Sequence, residues 1–383
     1  MNIIVVGAGV FGITSALELR ARGHSVSVLD PGPVPHPLAA STDISKVVRM
    51  EYGRDEQYME MVEQAIPGFH AWNRELGSPL YHEGGVTMFT RQPMAPGNYE
   101  YESFQLLLAR GHEPTRVQGS EIQRQFPAWS EAYVDGFYHA KGGYVESSRL
   151  MAALAQKAGA EGVQFVEGKA ASVDEGRVTL TDSRVLTGDL VVVAAGTWTS
   201  LLVPELRPMM RSTGHPVFHL EAPDPDLFSV PRFCTFMADV AGTGWYGFPY
   251  NPREQVIKVA NHGIGLTLHP ERDAREVYED DHARLRDFLA MAFPALADAR
   301  VVYTRRCLYC DTLDEHFWID RDPSRPGILV ATGGSGHGMK FAPVLGSLIA
   351  DAVEGITNPW LARFKWRDLR PSTAGQEAAR HRS

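Results

Sequence analysis

The stretch Ile3-Ile-Val-Val-Gly7-Ala-Gly9-Val-Phe-Gly12 decides the fold of this 383-residue chain. Its apolar residues predict a buried strand, and its glycines have the Gly-x-Gly-x-x-Gly spacing. The first glycine permits a tight turn, the second lets the backbone approach a pyrophosphate, and the third lets the next helix pack on the sheet. A second strand, Ser25 to Leu29, is followed by Asp30. The carboxylate of Asp30 can accept a hydrogen bond from a ribose hydroxyl. The pattern predicts a dinucleotide-binding βαβ unit and does not separate FAD from NAD.

A second glycine-rich loop lies near the other end of the chain. The sequence Ile328-Leu-Val-Ala-Thr-Gly333-Gly-Ser-Gly-His-Gly338-Met-Lys340 predicts a strand and then a loop. An amphipathic helix is expected from Pro343 to Glu354, because Pro is common at the start of a helix and Gly355 follows its end. Backbone N–H groups converge at such loops and bind anions. Two loops of this kind predict one long anionic cofactor held at both ends.

The composition argues against several classes of protein. A net charge of −9 disfavours a nucleic-acid or anionic membrane surface. Three cysteines, an odd number, disfavour a disulfide framework and favour a reducing compartment. No basic start precedes the first apolar strand, and no apolar run approaches the roughly 20 residues that span a bilayer. We expect a soluble, cytoplasmic protein that binds neither nucleic acid nor membrane.

One segment resembles a known family. Cys307, Tyr309, Thr312, Asp314 and Phe317 form a Cys-x-Tyr-x-x-Thr-x-Asp-x-x-Phe pattern, which precedes the Gly-x-Ser-Gly-His-Gly-x-Lys loop that ends at Lys340. This combination resembles the monomeric sarcosine oxidase group of flavoproteins in the D-amino-acid-oxidase-like superfamily. That group includes the N-methyltryptophan, pipecolate and fructosyl-amino-acid oxidases. The resemblance extends, more thinly, over most of the chain.

The resemblance implies FAD as the cofactor, with an 8α-thioether to Cys307. A thioredoxin-type or zinc interpretation of Cys307-x-x-Cys310 is disfavoured, since the sequence has no second pair and no helix is expected between the two cysteines. We therefore predict no metal site. The expected cofactor-binding residues are Gly7, Gly9, Val10, Phe11, Gly12, Asp30, Ser41, Thr42, Lys46, Val173, Ala195, Gly196, Cys307, Gly334, Gly336, His337, Gly338, Met339 and Lys340.

Two further segments carry candidate catalytic residues. From the residues alone, Lys46 and Arg49 could be solvated cations of a half-buried strand. In the strand Val256 to His262, a period of two places Lys258 and His262 on one face, either exposed or on a pocket wall. By resemblance, Arg49 and Lys340 bind the substrate carboxylate, Lys46 lies over the flavin, and Lys258 activates O2. Tyr246, Tyr309, His262 and His337 are expected around the substrate.

We predict an α/β protein with a Rossmann-like FAD-binding domain and an antiparallel-sheet substrate domain, as in glutathione-reductase-type flavoproteins. The FAD domain is expected at 1–80, 143–215 and 302–365, and the substrate domain at 81–142 and 216–301. Residues 371–383 are expected to be disordered because they are polar and lack apolar periodicity. The family is often monomeric, so we expect a monomer.

The expected activity is oxidation of the C–N bond of an N-substituted α-amino acid, with O2 as acceptor and H2O2 as product. A cationic site would keep the bound amine neutral, since like charges disfavour protonation. A dehydrogenase of the same fold that uses another acceptor is the alternative. A flavin-binding scaffold without activity is disfavoured by the carboxylate clamp. NAD-dependent chemistry is a further alternative, and a yellow colour of the purified protein would exclude it.

Overall fold

The computed structural model describes residues 1–369, so the expected disordered tail at 371–383 lies outside the described residues. The strands of the described part are, in chain order, β1 (Asn2–Val6), β2 (Ser25–Asp30), β3 (Lys46–Val48), β4 (Tyr81–His82), β5 (Val86–Thr90), β6 (Thr115–Arg116), β7 (Asp135–His139), β8 (Gly143–Val145), β9 (Gln164–Glu167), β10 (Ala170–Asp174), β11 (Arg177–Leu180), β12 (Val185–Thr187), β13 (Leu190–Val193), β14 (Met210–Glu221), β15 (Thr235–Ala238), β16 (Trp245–Gly247), β17 (Val256–Asn261), β18 (Leu266–Thr267), β19 (Val301–Thr312), β20 (Trp318–Arg321) and β21 (Ile328–Thr332).

The α-helices of the same part are α1 (Val10–Ala21), α2 (Glu56–Glu75), α3 (Tyr99–Ala109), α4 (Glu121–Gln125), α5 (Ser147–Ala160), α6 (Thr199–Leu202), α7 (Val240–Thr243), α8 (Glu279–Ala292), α9 (Ala342–Glu354) and α10 (Leu361–Phe364). Short 3₁₀ turns cover Gly196–Trp198, Pro204–Leu206, Pro294–Leu296 and Gly338–Phe341. The predicted α/β class is confirmed.

The first sheet gathers the loops that the glycine motifs predict. Its strand order is β20-β21-β13-β1-β2-β9, and all neighbours are parallel except β20 and β21. The parallel strands β1, β2, β13 and β21 therefore end at the same edge. Ligands of such sheets bind outside the carboxyl ends of the strands. That edge holds Gly7, Asp30, Ala195 and Gly333, which are far apart in sequence.

The third glycine of the first motif acts as predicted. A Cβ at Gly12 would lie 1.8 Å from the carbonyl oxygen of Gly7, so only glycine lets α1 start this close to the turn. The same helix packs against α9, where a Cβ at Gly346 would lie 2.5 Å from the carbonyl oxygen of Thr14. These contacts hold both loop-to-helix junctions beside one another.

The second sheet forms the other half of the molecule. Its strand order is β18-β14-β17-β16-β15-β5-β7-β6, with β19 paired to β14. Every pair is antiparallel except β5 and β15, which are parallel, so the expected antiparallel sheet contains one parallel pair. Strands β14 and β19 pair along almost their whole length, from Met210 opposite Thr312 to Leu220 opposite Val301. The domain boundaries expected at 215/216 and 301/302 fall inside or at the end of these paired strands.

Two helices differ from the sequence-based expectation. The sequence pattern predicts a helix from about Tyr58 to Leu76 that is interrupted at Pro67, but α2 continues through the proline, from Glu56 to Glu75. Buried Val62 and Phe69 lie on either side of the proline and anchor both halves to the core, which outweighs the lost hydrogen bond. The sequence pattern also predicts an acidic amphipathic helix from Asp273 to Phe293, but that helix, α8, starts only at Glu279.

Candidate active site

A long cavity of about 680 Å³ follows the carboxyl edge of the first sheet. It is lined by many of the residues that the sequence assigns to the cofactor. These are Gly7, Gly9, Val10, Phe11, Asp30, Ser41, Lys46, Ala195, Gly196, Gly334, Gly336, Gly338 and Met339. Both glycine loops thus open on the same space.

The walls of the long cavity fit an extended anionic dinucleotide such as FAD. Helix α1 begins after Gly9 at the cavity wall, so its N-terminal N–H groups suit a pyrophosphate. The Asp30 carboxylate accepts a hydrogen bond from the Ala8 amide at 2.8 Å and lines the same space. At the far end, Gly336 has φ +76°, and a Cβ there would lie 2.5 Å from the Tyr309 ring. Glycine keeps that end open.

Several residues expected at the cofactor lie elsewhere. The Thr42 hydroxyl donates to the carbonyl oxygen of His36 at 2.7 Å, although its neighbour Ser41 lines the cavity. Val173 is buried in a core cluster with Val178. A register shift between Ala170 and Ser172 breaks the strand's alternation, and the cavity wall here is formed by residues 168–171 instead. Gly12 is not among the residues that line the cavity, and its role is to let α1 pack against the turn at Gly7.

A second cavity of about 480 Å³ joins the first. Lys46, Tyr309, Gly336 and Met339 line both, so these four residues mark the junction of the two spaces. The second cavity brings together most of the predicted catalytic residues. They are Lys46, Arg49, Tyr246, His262, Tyr309, His337 and Lys340. We call this second space the substrate cavity.

Arg49 and Lys340 converge on one aromatic ring of the substrate cavity. The Arg49 guanidinium carbon lies 5.2 Å from the centroid of the Tyr52 ring, and the Lys340 ammonium lies 4.7 Å from it. Arg49 also donates to the Tyr99 hydroxyl at 2.9 Å, and that hydroxyl donates to the carbonyl oxygen of Glu51. Both cations are largely buried. Two oriented cations at one ring are suited to bind a carboxylate.

His337 is held in one orientation by both ring nitrogens. Its Nε2 lies 3.0 Å from the carbonyl oxygen of Glu315, which can only accept, so Nε2 carries a proton. In the neutral imidazole, Nδ1 then accepts from the Tyr52 hydroxyl at 3.0 Å. The ring also stacks on Phe317, with centroids 5.0 Å apart. Tyr52 thus supports a histidine as well as two cations.

His262 and Tyr309 form an aromatic part of the wall of the substrate cavity. His262 follows β17, and its ring centroid lies 5.6 Å from that of Tyr309. Tyr309 also stacks on the buried His215 ring, with centroids 4.1 Å apart, and the His215 and His262 rings lie 5.8 Å from each other. Tyr246 lines the same cavity, and burial raises the pKa of its hydroxyl. These rings give the substrate cavity a rigid aromatic side.

Lys258 lies deeper than the other predicted catalytic residues. Its side chain is 1% exposed, and its ammonium donates to the carbonyl oxygen of Ser45. The Asp43 carboxylate lies 2.8 Å from it, and the same carboxylate lies 3.6 Å from the Lys46 ammonium. Lys258 is thus connected to the cavity junction through Asp43 and Lys46.

The charges of this cluster shift one another's titration. Burial lowers the pKa of Lys258 to about 8, although the Asp43 carboxylate opposes that shift. Burial by itself would raise the pKa of Asp43, but the ammonium groups of Lys258 and Lys46 hold it well below its usual value. At neutral pH the cluster therefore contains an ionised carboxylate and a lysine close to its titration point.

The Cys307 side chain is fully buried next to this cluster. Its Sγ lies 4.0 Å from the Lys46 ammonium, and the next residue, Leu308, lines the long cavity. Burial raises the pKa of the companion thiol, Cys310, to about 11. Within residues 1–369, no group of three or more His, Cys, Asp or Glu side chains is placed to hold a metal ion.

Sequence reasoning missed Asp43, Tyr52 and Tyr99. Asp43 belongs to the same Asp-Ile-Ser-Lys quartet as Lys46, and an acid beside a predicted buried lysine was a usable signal. Tyr52 follows Arg49 by three residues in a segment whose shape the sequence does not predict. Tyr99 starts α3, outside every recognised motif, and carried no signal.

None of the described helices is long and apolar enough to cross a bilayer.

Comparison with known proteins agrees with this geometry. A family model described as FAD dependent oxidoreductase matches residues 2–352. The chain is similar to L-saccharopine oxidase of Schizosaccharomyces pombe, with 28% identity over 96% of this chain and 93% of that protein. It is similar to monomeric sarcosine oxidase of a Bacillus species, with 26% identity over 95% of each. It also resembles the crystal structure of an Amadoriase I mutant from Aspergillus fumigatus, at 25% identity and TM-score 0.80, over 97% of this chain and 90% of that one.

Proposed function

This chain belongs to the family of FAD dependent oxidoreductases, and from that premise we propose that it oxidises the C–N bond of an N-substituted α-amino acid. The products are an imine, which water hydrolyses to a carbonyl compound and an amine, and H2O2 from O2. Similar proteins are named as oxidases of saccharopine and sarcosine, which are both N-substituted amino acids.

The observation that carries this proposal is the junction of the two cavities. The long cavity fits FAD along both glycine loops, and the substrate cavity opens from its end at Lys46, Tyr309, Gly336 and Met339. FAD, when bound, accepts a hydride equivalent from the carbon beside the amine nitrogen. The substrate cavity is where such a substrate has access to that cofactor.

The residues of the substrate cavity would bind a zwitterion by its acid end. Arg49 and Lys340 form the carboxylate clamp, and the guanidinium can bind bidentately. The amine must lose its proton before oxidation. Lys46, Arg49 and Lys340 favour that loss, because nearby positive charges lower the pKa of a bound ammonium. Tyr246, Tyr309 and His262 limit the space for the N-substituent.

Lys258 is proposed to act in the reaction with O2. Negative charge develops on oxygen as it accepts electrons, and a fixed ammonium stabilises that charge. Lys258→Met should slow reoxidation of the reduced cofactor by oxygen at least tenfold and leave reduction by substrate within about twofold, if the ammonium supplies at least 1.4 kcal/mol to that step. Stopped-flow absorbance of each half-reaction measures both rates. Equal losses in the two would remove this role.

We also propose that Cys307 carries FAD covalently as an 8α-thioether. The burial of Cys307 beside Lys46, and Leu308 in the cavity wall, support a site close to the flavin. Mass spectrometry of the denatured protein should find the adduct on the Cys307 peptide. Cys307→Ser should release the flavin on denaturation, and Cys310→Ser should retain it. An unmodified Cys307 peptide from yellow protein would refute the covalent link.

A peroxide screen tests the activity itself. Candidate substrates are sarcosine, other N-methyl amino acids, pipecolate, proline, saccharopine and fructosyl-valine, each tested with O2 and with an artificial electron acceptor. Peroxide formation with any of them, and none with the corresponding carboxamide, supports an oxidase that requires the carboxylate. Turnover only with the artificial acceptor would instead identify a dehydrogenase.

A further inference from the structure

One buried carboxylate lies between the two lysines at the cavity junction. Asp43 precedes β3, and its side chain is 2% exposed. Its Oδ2 lies 2.8 Å from the Lys258 ammonium and 3.6 Å from the Lys46 ammonium. Its Oδ1 accepts from the Ile44 amide at 2.8 Å. The carboxylate is thus shared by two cations from different strands.

The position of Asp43 is fixed by the start of α5. The hydroxyls of Ser147 and Ser148 donate to its backbone carbonyl at 2.9 and 2.8 Å, and the Ser148 amide donates to the same oxygen. The charged and titratable groups that face its side chain come from four strands. They are Lys46 on β3, His219 on β14 with Nε2 at 3.6 Å, Lys258 on β17, and Arg305 on β19.

Lys258 depends on a counter-ion more than any of these neighbours. Its ammonium lies over the Phe248 ring at 4.7 Å and contacts a single described carboxylate, Asp43. A buried ammonium without a paired carboxylate tends to lose its proton. Lys46, by contrast, lines both cavities, where it has access to solvent or ligand.

We propose that Asp43 is a positioning residue for the oxygen reaction, because its carboxylate keeps the proton on Lys258 and holds that ammonium beside Lys46. This inference rests on the proposed function, in which Lys258 assists O2. Asp43 touches neither substrate nor cofactor in this role. It acts through the lysine.

The pH dependence of reoxidation tests this role in the flavin-loaded enzyme. With a Lys258 pKa of about 8, the parent's rate should fall as the pH rises through that value. Asp43→Asn removes the group that opposes deprotonation, so the fall should move to lower pH. At pH 7.5 a shift of one unit should lower the rate about threefold and a shift of two units about 25-fold, and the rate should recover in more acidic buffer. Reduction by substrate should stay within about twofold.

Two other variants separate this outcome from general damage. Lys258→Met should reoxidise slowly at every pH, because no titratable ammonium remains. Asp135→Asn is the matched control, since Asp135 is equally buried, pairs with Arg116 at 2.6 Å, and lies in β7. That variant should keep the parent's pH profile. An unshifted profile in Asp43→Asn, or equal loss of both half-reactions, would overturn the proposal.

Thermal unfolding gives a second readout that does not involve turnover. A lysine whose folded pKa is below its unfolded value binds fewer protons when folded, so stability rises with pH between the two values. In the parent this rise begins near pH 8. In Asp43→Asn it should begin lower, so the loss of Tm relative to the parent should shrink from pH 6 to pH 8. Asp43 itself adds no slope there, since its folded and unfolded pKa values both lie below this window.

A double variant covers the case in which Asp43→Asn does not fold. Asp43→Asn with Lys258→Met removes both charges and should restore folding, with a Tm difference from the parent that is constant between pH 6 and pH 8. Failure of both variants to fold would overturn the proposal, because Asp43 would then be required without Lys258. Lys258→Met could reoxidise at the parent's rate while the Tm difference of Asp43→Asn still shrinks between pH 6 and pH 8. That result would contradict the proposed role of Lys258 in the oxygen reaction and would still support the electrostatic coupling of Asp43 to Lys258.

Discussion

The two cation pairs of the site are supported in different ways. Arg49 and Lys340 both lie over the Tyr52 ring in the substrate cavity. Lys46 and Lys258 share the Asp43 carboxylate at the cavity junction. An aromatic face attracts a cation through its quadrupole and adds no negative charge. A carboxylate attracts more strongly, cancels one of the two charges, and keeps the deeper lysine protonated.

The difference matches the task proposed for each pair. The two cations that bind a substrate carboxylate must be held in a fixed orientation by a neighbour that does not neutralise their positive charge. An uncharged aromatic ring meets both requirements. A lysine that assists O2 must remain charged in a space that excludes water, and it needs a counter-ion for that. Substitutions at three positions test this contrast, in order of decreasing expected effect.

The largest effect is expected at the clamp. Arg49→Met removes a buried, hydrogen-bonded charge and should lower kcat/KM by roughly 30- to 5,000-fold, mainly through KM, because such partners are worth about 2–5 kcal/mol. Arg49→Lys keeps the charge and loses the two-pronged geometry, so it should lie between the parent and Arg49→Met. Steady-state kinetics with varied substrate measures both. A fall in kcat with an unchanged KM would show that Arg49 does not bind the substrate.

A smaller effect is expected from the ring beneath the clamp. Tyr52→Leu removes the aromatic face shared by Arg49 and Lys340 and should raise KM about 3- to 30-fold, since one cation–π contact is worth about 0.5–2 kcal/mol. Tyr52→Phe keeps the face and loses only the hydroxyl that donates to His337. It should therefore raise KM less than Tyr52→Leu. Equal effects of the two would assign the role to the hydroxyl instead.

The smallest effect is expected at Lys46, as a change in the pH at which the rate of reoxidation falls. The direction of this change distinguishes Lys46 from Asp43. The Lys46 charge lowers the pKa of Lys258, and it does so less than the Asp43 carboxylate raises it. Lys46→Met should therefore move the fall in reoxidation to higher pH, by less than Asp43→Asn moves it to lower pH. Lys46→Arg keeps the charge and should leave the midpoint in place. Rapid mixing of reduced enzyme with oxygen between pH 6 and pH 10 measures all three midpoints.

Local sequence patterns predicted the cofactor cavity well. Gly7 and Gly336 have positive φ angles of +108° and +76°, a local requirement that the glycine pattern reveals. A parallel sheet brings the ends of distant strands to one edge, where Asp30 was expected from its own motif and Gly196 from the family resemblance; both line the long cavity. The resemblance to flavoprotein oxidases supplied the roles of Arg49, Lys258 and Lys340.

The misses share a physical cause. Val173 is expected at the cofactor and stays a prediction, since its side chain lies in a core cluster and a register shift near Ala170 changes which residues face the cavity. Pro67 was expected to interrupt α2, but burial on both sides holds the helix together. The acidic helix expected from Asp273 begins six residues later, where the Asp281 carboxylate accepts from the Tyr278 amide and caps the first turn. In each case a contact or an offset outside the local pattern decided the outcome.

The cations were chosen through the family resemblance. The amino-acid order alone was sufficient for the α/β class and the two glycine loops, since these depend on short-range backbone sterics and on residue chemistry. It was not sufficient for the supports of those cations. Tyr52 and Tyr99 meet Arg49, and Asp43 meets Lys258 across 215 positions of the chain, only in the packed tertiary structure. Charge inside a protein depends on burial and on partners a few ångströms away, and neither quantity exists until the chain has folded.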